Sequence, residues 1–319
     1  MSEISNLFMI YIDNEVGYTK LGGNNKIGYI NQQGEVVIEP KFCYGGDFNE
    51  GVAEVSLESE GKFGFINIDG ELVIDYKFDW AYSFSEDLAP VQINDKWGYI
   101  NKSGEIVIKP QFDFGKHFSK GYALVRNKDR KFVFINSKGE FINDYIYDYA
   151  SDFSEGLASV GTKNGWNYID TSGKQVFDLN FERAHSFKEG LAPVKVNGKL
   201  GFIDKSGNLV IDSKYDDAQN FSEGLASIKL NGKWGYINKK NDIVIEPKFN
   251  FAYSFKEGRA HVKINDKYGY INKSGDIIVE PQFVIAHYFK NGLAAALVDP
   301  FIKIYIDLDG NKVWTPKNS

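Results

Sequence analysis

Polar and apolar residues alternate along Leu225-Ala226-Ser227-Ile228-Lys229-Leu230, which puts Ala226, Ile228 and Leu230 on one side. A period of two marks a half-buried strand. Asn231-Gly232 follows, a pair that accepts positive φ at both central positions of a two-residue hairpin. Lys233-Trp234-Gly235-Tyr236-Ile237-Asn238 then reads as a second strand, and the turn after it closes in most copies on a glycine such as Gly104. The third strand is the apolar run Ile243-Val244-Ile245, expected to be buried on both faces. Pro247 is expected to end it, as Pro40, Pro110, Pro281 and Pro316 end theirs, because proline lacks the N–H a ladder needs.

This pattern recurs along the chain. Anchored on the glycine of Trp-Gly, the copies fall at positions 28, 64, 98, 133, 167, 201, 235, 269 and 304, so there are nine, 34 to 36 residues apart. Two columns after the anchor every copy has Ile, from Ile30 to Ile306. The linker between copies repeats too, with an aromatic, a small residue and Phe at i, i+3 and i+6, as in Tyr215/Ala218/Phe221. That spacing predicts one or two tight helical turns with an apolar face laid on the sheet.

The expected fold is all-β: a tandem array of nine three-stranded meanders of about 34 residues, stacked as an open superhelix or solenoid. A closed, propeller-like ring is the alternative. Propeller blades usually have four strands in a longer repeat, but Phe8 to Asp13 resembles a strand, and an N-terminal strand can close a ring. Residues 1–16 read as an N-terminal capping strand and 17–319 as one repeat domain. Its units run approximately over 17–50, 51–86, 87–120, 121–155, 156–189, 190–223, 224–257, 258–291 and 292–319.

Lys96–Asn101, Lys233–Asn238 and Lys267–Asn272, with Glu-Gly-Leu-Ala before the strands and Gly-x-x-Val-Ile-x-Pro after them, make the chain resemble the bacterial WG-repeat family. Units four (Phe132-Val133) and nine (Lys303-Ile304) depart from the dipeptide and are expected to be distorted or capping. The resemblance implies a β-rich, non-catalytic interaction array and brings no catalytic residue, substrate or cofactor.

Composition narrows the function. The sequence is 43% apolar and 15% aromatic, which is the make-up of an ordered protein. A net charge of −6 with no basic block argues against nucleic acid and against anionic membrane surfaces. A single cysteine, Cys43, excludes an internal disulfide and any Cys-pair metal site. The first thirteen residues carry Glu3 and only a six-residue apolar stretch, so the chain reads as cytoplasmic.

His117, His185, His261 and His287 have no partner at a ligand spacing, and Asp307-Leu308-Asp309-Gly310 lies in a turn that every unit contains. No metal or cofactor is therefore expected, and no enzyme. The turn glutamates Glu50, Glu86, Glu155, Glu189, Glu223 and Glu257 recur in register, with Lys120 and Asn291 interrupting them. An acidic stripe is one reading; carboxylates accepting backbone N–H bonds in the turn is the other.

The expected function is a monomeric, non-enzymatic scaffold that binds another macromolecule, above all a protein. Glycan or cell-wall binding through exposed aromatics is the alternative. Columns that vary between copies carry the functional signal, because fixed ones already have a packing explanation. The positions flanking the linker Ala vary most, and their aromatics, Trp80, Tyr82, Phe114, Tyr149, Phe251 and Tyr253, are the candidate partner-binding residues.

Overall fold

The computed structural model describes residues 7–13, 25–300 and 302–316; the expected start of the first unit, 17–24, lies outside them. Contacts divide the chain into two compact units. The first comprises Met1–Phe141 with Asp299–Ile306 and Lys312–Ser319, and the second Ile142–Val298 with Asp307–Asn311. The described residues contain strands and turns but no helix, and they form nine small sheets.

Each sheet is an antiparallel meander of sequence neighbours. In the repeat around Trp234 the strands are Asp217–Ala218, Leu225–Leu230, Lys233–Asn238 and Ile243–Phe249. The first is only two residues long and comes from the linker. It pairs Asp217 with Lys229 and Ala218 with Ile228, so the linker is strand where helical turns were expected. Tyr215, Ala218 and Phe221 are nonetheless all buried, as their spacing required. A spacing of three fits a strand broken by one residue as well as it fits a tight helix.

The repeat is therefore a four-stranded blade, and the expected three-stranded unit is corrected. The open array is overturned within the first unit. The carbonyl oxygen of Met9 accepts hydrogen bonds from Lys303 Nζ at 3.0 Å and Tyr305 Oη at 2.8 Å. The Phe8 and Tyr305 rings meet edge to face at 5.6 Å. Strand Phe8–Asp13 itself pairs along its whole length with Asn25–Ile30. First and last repeats touch, which the ends of a solenoid do not do. The architecture is a β-propeller, and blade size misled because one strand in four is only two residues long.

The edge strand also differs from expectation. Ile243 and Val244 are 44% and 41% exposed and only Ile245 of that run is buried. Pro247 does not end the strand, which continues to Phe249. The pairing register jumps from Trp234↔Phe249 to Tyr236↔Ile245, so Glu246, Pro247 and Lys248 bulge opposite Gly235. Proline is tolerated there because a bulge leaves its missing N–H unused.

That bulge explains the Trp-Gly glycine. A Cβ on Gly235 would lie 2.5 Å from the Ile245 carbonyl oxygen and 2.6 Å from Pro247 N, and Gly28, Gly64, Gly98, Gly201 and Gly269 are crowded by the same backbone. Those six copies have seven-residue edge strands. Among the described residues the copies with Val133 and Asn167 have none, and the copy with Ile304 has only Lys312–Trp314. A side chain in the glycine column excludes the bulged strand. The Asn167 side chain occupies the space itself, its Nδ2 donating to the Phe177 carbonyl at 3.1 Å and to that of Leu179.

Cores are shared between neighbouring copies. Trp234, Tyr236, Ile245 and Phe249 pack with Ala252, Phe255, Ala260, Val262 and Ile271 of the next repeat. Burying each large side chain contributes about 1.5–3 kcal/mol, and nearest-neighbour packing of this kind is what makes a repeat array cooperative.

Candidate interaction surface

The two linker positions beside the buried small residue have distinct environments. The earlier one rests on the aromatic of Trp-Gly in the preceding copy. Trp80 packs on Phe63 at 4.7 Å, Phe114 on Trp97 at 5.8 Å and Phe251 on Trp234 at 4.8 Å. Tyr149 instead stacks on Trp166 of its own blade, 5.6 Å away with planes 17° apart. Each ring thus rests on a second aromatic, and Trp80 and Tyr149 are 37% and 60% exposed.

The later position lies beside the first long strand. Its backbone N–H donates to a carbonyl near the start of that strand, as in Tyr82 N to Pro90 O at 3.0 Å and Tyr253 N to His261 O at 3.2 Å. The paired side chains differ from blade to blade. Ser151 Oγ meets Ser159 Oγ at 3.0 Å, Tyr253 lies flat on His261 at 3.9 Å, and a Cβ on Gly46 would collide with the Glu54 carboxylate. Burial pushes the His261 imidazole down to about 3, so it is neutral at ordinary pH. Burial likewise pushes the Glu54 carboxyl up to about 7.

The structure gathers the candidates into small groups within each unit. In the first unit, Trp80 joins Tyr44 and Phe63, while Tyr82 stacks on Trp97 at 5.0 Å beside Phe114. In the second unit, Phe251 and Tyr253 touch at 4.7 Å and continue through His261 to Tyr288, which is 41% exposed. Tyr149 with Trp166 forms a separate pair. Tyr253 is wedged among His261, Tyr268 and Tyr288.

The turn glutamates are engaged by the next repeat. Glu223 accepts from Gly258 N at 3.1 Å and pairs with Lys273 at 3.0 Å; Glu189 does the same with Gly224 and Lys239, and Glu155 with Gly190 and Lys205. Each carboxylate ties one hairpin to the following one, so the bonded turn is its neighbour's and not its own. Among the described residues no three His, Cys, Asp or Glu side chains are grouped to hold a metal ion.

Sequence reasoning missed a groove in the second unit. Asn143, Tyr145, Ile146, Leu179 and Asn180 help to line it, and it encloses about 920 Å³. The available signal was Tyr145 and Leu179 standing where most copies carry proline.

Among solved structures, a eukaryotic initiation factor matches with a TM-score of 0.62 over 98% of this chain and 96% of that one, at 11% identity. BamB from Moraxella catarrhalis matches with a TM-score of 0.48 over 94% and 97%, also at 11% identity. The first likeness concerns the fold alone. Comparison with curated proteins finds no match. The model of the WG containing repeat matches residues 27–60, 63–97, 97–131, 134–166, 166–199, 201–234, 234–268 and 268–299. With eight matched segments across the chain, the protein belongs to the WG containing repeat family.

Proposed function

We propose that this propeller is a non-enzymatic binding module whose linker positions contact a protein partner. The observation that carries this reading is a constant scaffold presenting a varied side chain at one position. Tyr44, Trp80, Phe114, Tyr149, Arg183, Asp217, Phe251 and Ile285 occupy the same place in successive repeats. Where that place holds an aromatic, the ring is braced by a Trp or Phe beneath it, as Trp80 is by Phe63. Ordering such a ring on binding loses little entropy, which suits an interface anchor.

The test is photocrosslinking in the cells that make the protein, with p-benzoylphenylalanine in place of Trp80 or Tyr149. Discrete protein adducts at these positions, absent when the probe replaces the edge-strand residue Val244, are expected. Adducts equally frequent at Val244, or none at Trp80 and Tyr149, would remove the linker surface from the account.

A further inference from the structure

We propose that the groove of the second unit, walled by Asn143–Tyr147 and Asn164–Asn180, binds an extended, uncharged peptide segment bearing a bulky apolar side chain. The proposal rests on the protein-binding reading and assigns it a second, chemically distinct site.

The repeats supply their own control. The column of Asn143 is apolar elsewhere, with Ile38, Ile74, Ile108, Ile211, Ile245 and Val279 in the blades with a seven-residue edge strand. The column of Tyr145 holds Pro40, Pro110, Pro247 and Pro281 but Tyr76 and Ser213 in the other two regular blades, and that of Ile146 holds Lys41, Lys77, Lys214 and Lys248 or Gln111 and Gln282. Asn143 packs under the next turn as those isoleucines do, its Nδ2 donating to the Gly173 carbonyl at 2.9 Å, whereas Tyr145 and Ile146 are exposed and packing does not explain them. The departures converge on one groove of about 920 Å³, within the range of ligand pockets. It lies where the sheet of Tyr149–Ala150, Leu157–Thr162 and Gly165–Asp170 has no regular edge strand. Only the bridges Trp166↔Phe181 and Ile169↔Gln175 remain on that side among the described residues.

The lining chemistry selects the ligand. Tyr145, Ile146 and Leu179 are 68%, 51% and 43% exposed, an apolar surface, and in the column of Ile146 every blade with a seven-residue edge strand has a lysine or glutamine. Asn164 and Asn180 stand beside them, with Asn180 Nδ2 donating to the Asn164 carbonyl at 2.5 Å. Side-chain amides match the N–H and C=O groups of a main chain, and the apolar wall takes a side chain. The charged lining residues Lys174 and Asp178 cancel, which favours an uncharged segment.

The experiment is selection of phage-displayed random dodecapeptides against the full chain. Affinities are then compared with the I146K/L179S variant, which installs the residues found at Lys41 and Ser213 of regular blades. Circular dichroism verifies its fold, and maltohexaose and chitohexaose are assayed in parallel. Enriched peptides with bulky apolar residues and no net charge, binding the variant about tenfold or more weakly, are expected. No enrichment, predominantly charged peptides, or a hexasaccharide that binds the parent and loses affinity in the variant would each overturn the proposal. Peptides binding both proteins equally would overturn the groove and leave the linker surface standing. Failure of the crosslinking at Trp80 and Tyr149 with peptide binding intact would remove the linker surface and leave the groove.

Discussion

The carbonyl oxygen of Ile245 lies 2.5 Å from where a Cβ on Gly235 would sit. The contact is with backbone, so no rotamer change relieves it, and the bulge of the edge strand must move. Gly235→Ala is expected to destabilise the protein by about 1–3 kcal/mol, the usual range for overpacking. Urea unfolding measures this. An unchanged midpoint would show that the Trp-Gly glycine has some reason other than the bulge.

Glu54 gives a prediction with a sign. Burial raises its carboxyl from 4.5 to about 7; hydrogen bonds from its own backbone and from Ser83 oppose the rise, and the Asp47 charge adds to it. The folded state then holds a proton that the unfolded chain releases, so Glu54 lowers stability as pH climbs from about 4.5 to 7, and the penalty levels off above that. Glu54→Gln should therefore be more stable than the parent at pH 8, by on the order of 1–3 kcal/mol, with little difference near pH 4.5. A stability difference independent of pH would contradict the assignment.

The copy containing Val133 should open before its neighbours. Strand Phe132–Asn136 pairs fully with Tyr122–Arg126, but on its other side the described residues show only the bridge Ile135↔Phe141. Strand Lys233–Asn238 is paired on both sides. Hydrogen exchange should be faster at the amides of Phe132–Asn136 that point away from Tyr122–Arg126 than at the equivalent amides of Lys233–Asn238. Equal protection would show that a side chain in the glycine column is harmless.

Much of this was legible in the sequence. Asn231-Gly232 announced a hairpin, and both residues have positive φ, 50° and 80°. The long strands Leu225–Leu230 and Lys233–Asn238 lie where they were expected, although Leu225–Ile228 is buried on both faces and not half-buried as its alternation suggested. Two features were hidden because they depend on pairing across sequence. Asp217-Ala218 has no strand signal of its own and becomes one only beside Lys229 and Ile228. Ile243-Val244 reads as buried because it is apolar, yet a strand at the sheet edge exposes both. The candidate surface was found through column variation, whereas the groove needed the structure to bring Asn143–Tyr147 and Asn164–Asn180 together.

The central structural claim is that the first and last repeats meet, and the ring contact of Phe8 with Tyr305 is its most direct witness. Selective protonation of Phe and Tyr in otherwise deuterated protein allows nuclear Overhauser effects to be read between the two rings. The Tyr236–Phe255 pair, whose centroids are 4.9 Å apart, provides the positive control. The account predicts a Phe8–Tyr305 cross-peak comparable to the control, independent of protein concentration. A strong control peak with no Phe8–Tyr305 peak would contradict closure and return the chain to an open array.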